Sequence, residues 1–369
     1  PELFKNVFKI SCVAVAFLLA MNIVPIIPVE LQKSHVGTHN ESISLGVMPG
    51  TAGLANYPDI YYIVLDEYSS FETLESAWDY DNREFKEFLE SRGFFVAEKS
   101  RTHYPNTIVV VPSILNLRPI TDLDYNGDRL ELISLINDNQ AMRFFSTKGY
   151  TSVAIGVQSI SSDINIQSDY VFKFQANSGG ERSLDDFHWL LVEMSMIRPF
   201  SYIFKHRIVD QLDHVRYSRL YDFDKVTQLS DISSPKFVYA HVMLPHVPFI
   251  FDKNGDKIDW DDRTNYHDKN IYLEQLIFTT KKAEETIDSL LKQYPESKPP
   301  IIIIQSDHGL RKYRASIDEE LEYVSEDDQY KVLNAFLLPD YDYTTLADDI
   351  PPVEVLPLVI EHYINTTAS

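Results

Sequence analysis

"IIIIQSDHGL" at residues 301–310 joins a run of four isoleucines directly to an aspartate and a histidine. A continuous run of apolar, β-branched residues favours a strand that is buried on both faces. In open α/β sheets, ligands bind at the carboxyl ends of the strands. The stretch therefore predicts a central strand that carries Asp307 and His308 to the ligand-binding edge of a sheet.

Two other apolar runs, "DIYYIVL" (59–65) and "PKFVYAHVM" (235–243), also read as buried strands. The polar residues at or after their ends are Asp66, Glu67, His241 and His246. Amphipathic stretches with helical spacing, such as residues 82–93 and 271–294, alternate with the strands. This alternation predicts an α/β fold, an α/β/α sandwich with a largely parallel central sheet.

Four further stretches complete the predicted order of elements. Residues 107–117, "TIVVVPSILNL", are β-branched but end like a helix, so a strand and a helix both stay open. Residues 330–339 favour another strand, residues 353–364 a closing helix, and residues 183–230 a mostly helical segment.

Composition and charge limit the classes of function. The chain has 369 residues, enough for one large α/β domain with an appendage. Its formal net charge is −22 and no basic stripe is visible, which argues against a nucleic-acid partner. Cys12 is the only cysteine, so an intrachain disulfide and a cysteine metal cluster are excluded.

Residues 10–29 are 20 residues without a charge, which is the length of a helix that crosses a bilayer. Lys5 and Lys9 precede this segment and Glu30 follows it, so the positive-inside rule places the rest of the chain outside the cytoplasm. A signal peptide and a buried core helix are the competing interpretations. We expect a cell-membrane anchor, because the run is long and lacks a clear small-residue cleavage site.

The domain organisation that follows has three parts. Residues 1–30 are predicted to be the transmembrane anchor, and residues 31–56, rich in Ser, Gly, Asn, Thr and Pro, a juxtamembrane linker. Residues 57–369 are predicted to form the globular domain. Because the chain begins at Pro1 and not at Met, the anchor is expected to be the single or the last transmembrane helix.

The polar residues after the strands can be interpreted as a metal site. Two aspartates and histidines make an N/O ligand set that suits zinc or manganese. Thr107 would begin a helix or turn, where backbone N–H groups favour an anion, and a nearby metal would make its hydroxyl a nucleophile. The alternative is that these residues are ordinary turn residues and a helix cap. From the residues alone, both interpretations stay open.

Four blocks of sequence together match a known pattern. They are "PDIYYIVLDEYSS" (58–70), "SRTHYPNTIVVVPSILN" (100–116), "YAHVMLPHVPFIFD" (239–252) and "IIIIQSDHG" (301–309). In this content and order the chain resembles the alkaline phosphatase and sulfatase superfamily. It is most similar to the membrane-anchored branch with lipoteichoic acid synthases, phosphoglycerol transferases and phosphoethanolamine transferases.

The resemblance implies roles for five residues. Asp66, Asp307 and His308 match metal ligands of the family, and Thr107 matches the nucleophile of its transferase members, in contact with the same metal. His246 matches a histidine that holds a second metal or the phosphate of the substrate. Further candidates for the site are Glu67, His241, Arg311 and Lys312.

The chain also departs from its relatives. Thr107 is followed by "IVVV", and the C/S-x-P-x-R pattern of sulfatases does not occur there, so sulfate ester hydrolysis by that route is not expected. The histidine that many relatives carry shortly after Asp-His-Gly is missing from "LRKYRASIDEELEY", which argues against a full second metal site.

The resemblance implies an enzyme whose catalytic domain is residues 57–369. We expect a metal-dependent phosphoryl-group transferase or phosphodiesterase that acts outside the cytoplasm on lipid-linked or envelope head groups. Zinc or manganese is the expected metal, ahead of calcium and magnesium. The expected partners are the membrane, through residues 10–29, and a phospholipid or envelope-glycan substrate. The alternatives are a sulfatase-like hydrolase that uses water as acceptor, on phosphodiester, phosphonate or sulfate ester, and a non-catalytic envelope protein that retains the fold.

Overall fold

The computed structural model describes most of the chain after residue 56. The described residues are 57–123, 128–174, 205–258, 268–312, 321–340, 342–344 and 346–365. Within these ranges, no helix combines the length and the apolar character needed to span a membrane. The expected anchor at residues 1–30 and the expected linker at residues 31–56 lie outside the described residues.

A sheet of seven strands forms the centre of the described fold. The strands are β1 (Ile60–Leu65), β2 (Phe95–Val96), β3 (Thr151–Ile155), β4 (Tyr170–Phe172), β5 (Lys236–Val242), β6 (Ile301–Gln305) and β7 (Asn334–Leu337). Their order across the sheet is β2-β7-β6-β1-β5-β3-β4. Strand β7 runs antiparallel to β6 and to β2, and the other neighbouring pairs are parallel. The predicted α/β sheet is confirmed as a mixed, mostly parallel one.

Helices cover both faces of this sheet. They are α1 (Phe71–Trp78), α2 (Arg83–Ser91), α3 (Thr107–Leu115), α4 (Arg129–Asn137), α5 (Gln140–Thr147), α6 (Lys205–Thr227), α7 (Lys269–Leu291) and α8 (Pro352–Val359). A π-helical turn, Ile360–Asn365, continues α8.

Two hydrophobic clusters show which helices lie on which face. Apolar residues of α1, α2, α6 and α7 join one cluster, and those of α3, α4, α5 and α8 join the other. The strand residues alternate between the two clusters, as the period of two requires. In β1, for example, Tyr61 and Ile63 pack in the first cluster, whereas Tyr62 and Val64 pack in the second. The sheet is therefore the middle layer of a sandwich.

The ambiguous stretch at residues 107–117 is helical from Thr107 to Leu115. Its β-branched residues favour a strand locally, but every residue from Ile108 to Leu115 is buried against the sheet or its covering helices. Burial on all sides outweighs intrinsic helix propensities, which differ by less than about 1 kcal/mol per residue for ordinary side chains. The position matters for function because the helix begins at Thr107.

Other elements refine the predicted order. The strand expected within residues 330–339 is β7, and its antiparallel direction was not predicted. Strand β4 has only three residues and was not predicted at all. Helix α6 lies in the expected helical segment 183–230, of which residues 183–204 fall outside the described part of the chain.

Candidate active site

Side chains alternate between the two faces along each strand, and this alternation places three polar side chains on the same face of the sheet. Tyr62 and Val64 of β1 face the layer of α3, and the next side chain of this series is Asp66. His241, near the end of β5, and Asp307, two residues after β6, continue the corresponding series of their own strands. Because β1 lies between β5 and β6, these three side chains meet at one edge.

Asp66 is fixed from both sides by β5 and the loop after it. Its backbone N–H donates to the Val242 carbonyl at 3.0 Å, and its carbonyl accepts from the N–H of His246 at 3.1 Å. Its Oδ2 lies 2.8 Å from Nε2 of His241, and both side chains are fully buried. Burial alone would raise the pKa of Asp66. The charge of His246 and the hydrogen bond with His241 together hold this pKa well below its usual range.

Asp307 is held by backbone groups instead. Its Oδ1 accepts from the N–H of Glu67 at 3.1 Å and from the N–H of His308 at 2.9 Å. Its Oδ2, like Oδ1 of Asp66, has no hydrogen-bond partner among the described residues. Each carboxylate thus has one oxygen engaged and one buried oxygen unengaged. A buried carboxylate oxygen without a donor is costly, and a cation removes that cost.

His308 presents one defined nitrogen to these carboxylates. Its Nδ1 lies 2.8 Å from the carbonyl oxygen of Gly309 and can only donate there. We therefore assign the proton of the neutral ring to Nδ1, which leaves the lone pair on Nε2. Nε2 lies 3.5 Å from Oδ2 of Asp307. A backbone carbonyl that fixes the other ring nitrogen is the usual arrangement for a metal-ligating histidine.

The three side chains together fit a divalent metal. Asp66, Asp307 and His308 each offer a ligand atom, and these atoms lie within 4.8 Å of one another. All three residues are buried, and their two unengaged oxygens supply the negative charge that such a cation needs. The donor set of two carboxylates and one imidazole suits zinc or manganese.

Thr107 stands at the open side of this group as the first residue of α3. Its Oγ1 lies 3.1 Å from Nε2 of His308 and 3.5 Å from Oδ2 of Asp66. The residue before it, Asn106, occupies the N-cap position without a side-chain cap bond. The N–H groups and the dipole of the helix therefore point toward the hydroxyl, where they favour an anion.

The position of Gly309, after Asp307 and His308, has no room for a side chain. A Cβ at this position would lie 2.3 Å from the carbonyl oxygen of Asp328 and 2.9 Å from that of Lys331. The N–H of Gly309 also donates to the Gln329 carbonyl at 2.9 Å. The segment before β7 thus packs directly on the backbone of residue 309, and no side chain fits between them.

The other predicted candidates lie around this centre in different ways. Glu67 has a left-handed backbone, with φ of 66°, and its Oε1 lies 3.5 Å from Nε of Arg311. His246 directs Nδ1 to the Val247 carbonyl at 2.7 Å. Lys312 is half-buried, and its carbonyl accepts from the N–H of Leu321 at 3.0 Å. Of the whole candidate set, the side chains that lie within 3.5 Å of one another around Asp66 and His308 are those of Asp66, Thr107, His241, Asp307 and His308.

Two residues that support the site were not predicted. The hydroxyl of Tyr272 on α7 donates to the Glu67 carbonyl at 2.9 Å and lies 2.8 Å from Oγ of Ser69. Arg219 on α6 donates to the carbonyls of His246, Val247 and Pro248 at 2.6–2.9 Å. An arginine in a helical segment carries no sequence signal for such a role. The signal that identifies Arg219 comes from the structure, in which this charged residue is almost fully buried, at 4% exposure.

Comparison with known proteins agrees with this architecture. The sequence matches no protein-family model and no curated protein. Among solved structures, the C-terminal periplasmic domain of EptC from Escherichia coli, in complex with zinc, is similar with a TM-score of 0.50 and 12% identity. That similarity covers 84% of this chain and 83% of the other.

The chain has the fold of the sulfatase-like alkaline phosphatase superfamily.

Two further structures belong to the same comparison. The periplasmic domain of phosphoethanolamine transferase EptC from Campylobacter jejuni has a TM-score of 0.50 and 12% identity, over 84% of this chain and 90% of that one. The lipoteichoic acid synthase LtaP from Listeria monocytogenes has a TM-score of 0.50 and 11% identity, over 82% and 71%. At these identities the likeness concerns the fold.

Proposed function

We propose that the protein is a metal-dependent phosphoryl-group transferase or phosphodiesterase with Thr107 as its nucleophile. The observation that carries the proposal is the position of the Thr107 hydroxyl. It lies at a helix N-terminus, 3.1 Å from His308 and 3.5 Å from Asp66, beside two carboxylates with unengaged buried oxygens. A nucleophile, an anion-favouring helix end and a metal-ligand set rarely coincide in a purely structural site.

The metal would be held by Asp66, Asp307 and His308, with Thr107 as a further contact. When bound, a divalent metal lowers the pKa of a hydroxyl it touches and stabilises negative charge on phosphate oxygens. Asp66 is kept ionised by its histidine neighbours, so it is ready to bind a cation at neutral pH. His241 acts as a positioning residue, because it fixes Oδ2 of Asp66 at 2.8 Å.

Two displacements at phosphorus would make up the reaction. Oγ1 of Thr107 would give its proton to water and form a bond to phosphorus while the bond to the leaving oxygen of the donor breaks. His246 is the candidate for protonating that oxygen through Nε2, since its Nδ1 is engaged with the Val247 carbonyl. An acceptor hydroxyl or water then attacks phosphorus and gives its proton to Nε2 of His246, while the bond from phosphorus to Oγ1 breaks. The helix N-terminus stabilises the anionic phosphate in both steps.

An extracytoplasmic, lipid-linked or envelope substrate is the second part of the proposal. It rests on the uncharged segment at residues 10–29 and on the similar structures from E. coli and C. jejuni, which are periplasmic domains. The acidic charge of the chain, −22, argues against nucleic acid as the phosphodiester.

The covalent step is tested by changing Thr107 to Val, which keeps the shape and removes the hydroxyl. With bis-p-nitrophenyl phosphate as a generic phosphodiester, we expect turnover to fall by at least about 10³-fold, whereas Thr107→Ser retains a measurable part. Mass spectrometry of the quenched wild-type reaction should find a Thr107 peptide that carries a p-nitrophenyl phosphate group, because only one p-nitrophenolate leaves in the first displacement. The matched control is Thr121→Val, an exposed threonine in the loop after α3.

Full metal-dependent turnover by Thr107→Val would contradict the proposal. Turnover that is independent of added zinc or manganese after chelation would contradict the metal part alone. Product analysis with and without a polyol acceptor distinguishes a transferase from a hydrolase.

A further inference from the structure

A second cavity lies beside the candidate active site, at the carboxyl ends of β3 and β5. Its volume is about 420 Å³. Gly156 and Gln158 line it from the loop after β3, Arg219 and Asp222 from α6, and Pro248 from the loop after β5. Volumes of this size are typical of small-molecule sites.

Residues that line the cavity contact the backbone of two candidate active-site residues, His241 and His246. A Cβ on Gly156 would lie 2.3 Å from the carbonyl oxygen of His241, the residue that fixes Asp66. Arg219 clamps the segment that carries His246. Since β3 is two strands from β1, the two strand ends are about 10 Å apart. The cavity and Thr107 therefore lie at the same edge of the sheet, on the sides that α6 and α3 cover.

Two residues that line the cavity each have a buried side-chain oxygen without a hydrogen-bond partner among the described residues. These oxygens are Oδ2 of Asp222 and Oε1 of Gln158. Asp222 is 1% exposed, so water contributes little to its solvation. Burial raises the pKa of Asp222 well above its ordinary value, and the charge of Arg219 opposes this shift. Buried oxygens of this kind are satisfied by a ligand that brings hydroxyl or amide donors.

The charges around the cavity favour a neutral ligand. The guanidinium of Arg219 is buried and engaged with three backbone carbonyls, so it is a fixed positive charge. If Asp222 is ionised, Arg219 balances it, and if it is protonated, the buried charge is positive. Lys173 and His214 also line the cavity, so the lining provides no excess negative charge for a cation, whereas an anion would face the Asp222 oxygen.

Aromatic side chains stand at one side of the cavity. Phe174 and His214 both line it, with ring centroids 5.1 Å apart. Tyr217, one turn further along α6, lies 6.4 Å from the Phe174 ring and is 61% exposed. An exposed aromatic next to the cavity offers an apolar surface to a ligand that also has polar groups.

From these contacts we propose that the cavity is a subsite for a neutral, hydroxyl-rich group, such as a sugar ring, of the molecule that reacts at Thr107. Asp222 and Gln158 accept hydrogen bonds from its hydroxyls, and Phe174 packs against its apolar face. The proposal rests on the proposed function of the neighbouring site, and it narrows the substrate to a glycan-bearing one.

Binding is measured on the purified full chain by saturation-transfer NMR. The neutral probes are the methyl glycosides of glucose, galactose and N-acetylglucosamine, with ethanolamine as the cationic probe and inorganic phosphate as the anionic one. We expect at least one glycoside to bind at millimolar concentration. Asp222→Ala and Gln158→Ala should each weaken it by about three- to tenfold, the effect of losing one hydrogen bond.

The matched control is Asp224→Ala, which removes an exposed acid from the same helix and should leave binding unchanged. Circular dichroism checks the fold of the Asp222 variant, and Gln158, only half-buried, tests the same contact if that variant unfolds. Thr107→Val should bind the glycosides normally, which separates this proposal from the nucleophile assignment. The subsite is refuted if no glycoside binds. It is also refuted if ethanolamine or phosphate shows the dependence on Asp222 instead, or if a folded Asp222→Ala or the Gln158→Ala variant binds as wild type does.

Discussion

At the scale of single residues, the carboxylates of Asp66 and Asp307 are held in different ways. In each, one oxygen is hydrogen-bonded, but the groups that bind it differ. Backbone N–H groups hold Asp307, whereas the imidazole of His241 holds Asp66. A backbone donor cannot be removed by substituting its side chain, but an imidazole can. The contact between His241 and Asp66 can therefore be removed by a substitution, without changing a proposed metal ligand.

Changing His241 to Gln should weaken metal binding without removing a proposed ligand. Loss of the hydrogen bond that orients a ligating carboxylate typically costs about 10- to 100-fold in metal affinity. Zinc affinity, measured by competition with a chromogenic chelator, tests this. His103→Gln, at an exposed histidine, is the control. An unchanged zinc affinity in a folded His241→Gln protein would show that Asp66 does not need this contact.

Asp222 should make the free energy of unfolding decrease as the pH rises. A salt-bridged acid has the opposite effect. Because burial raises its pKa in the folded state, the folded protein holds this proton more tightly than the unfolded chain does. The associated stability is complete below the unfolded pKa, about 3.9, and declines as the pH rises. Compared with Asp222→Asn, the wild type should therefore lose stability as the pH rises above about 4.

Urea unfolding of both proteins at several pH values measures this difference. Arg219, Lys173 and His214 line the same cavity in both proteins, so their contributions cancel in the comparison. A difference that is constant with pH would contradict the assignment of a raised pKa to Asp222.

At the scale of elements, the turn after β3 is set by a glycine. Gly156 has a φ of 70°, and a Cβ there would meet the His241 carbonyl at 2.3 Å. Gly149 also has a positive φ, of 83°, but nothing lies within 4 Å of its Cβ position. Gly149→Ala thus incurs backbone strain alone, and Gly156→Ala incurs strain and a backbone clash.

We expect Gly149→Ala to destabilise the protein by about 1 kcal/mol and Gly156→Ala by about 2–4 kcal/mol. Urea denaturation gives both values. The Gly156 variant should also reduce turnover, because the clash displaces the strand end that carries His241. Equal destabilisation by the two variants would mean that the loop after β3 relaxes freely.

Sequence patterns predicted the central strands more reliably than α3. The isoleucine run of β6 and the apolar run of β1 have apolar side chains on both faces, so they need a sheet that is covered on both sides. Both strands are fully buried. By contrast, Val109–Val111 have a strand-like composition and are helical because the surrounding layer buries them. The polar residues at the strand ends allowed Asp66, Thr107, Asp307 and His308 to be interpreted as one site, and the resemblance implied it. Their contacts depend on strand order and register, which local patterns do not encode.

At the scale of the whole molecule, metal binding should stabilise the fold. Its proposed ligands come from the ends of β1 and β6, which are joined by more than 200 residues of chain. A ligand that binds only the folded state adds about 2.7 kcal/mol at 100 times its Kd. Removing the metal with a chelator should therefore lower the Tm by about 5 °C or more.

Differential scanning calorimetry before and after chelation, with zinc or manganese restored, checks this expectation. Asp307→Asn should abolish the shift, since it weakens a proposed ligand. A Tm that does not respond to chelation or to added metal would contradict a resident metal site.

The same architecture bears on how the protein behaves at high local concentration. In the described sheet the two outermost strands are its shortest, β2 with two residues and β4 with three. An edge strand exposes unpaired backbone groups that can recruit a strand from another molecule, and short edges offer little length for such pairing. The long apolar strands, which would aggregate readily if they were exposed, all lie inside. A chain concentrated on a surface can thus crowd against its copies without extending its sheet into theirs.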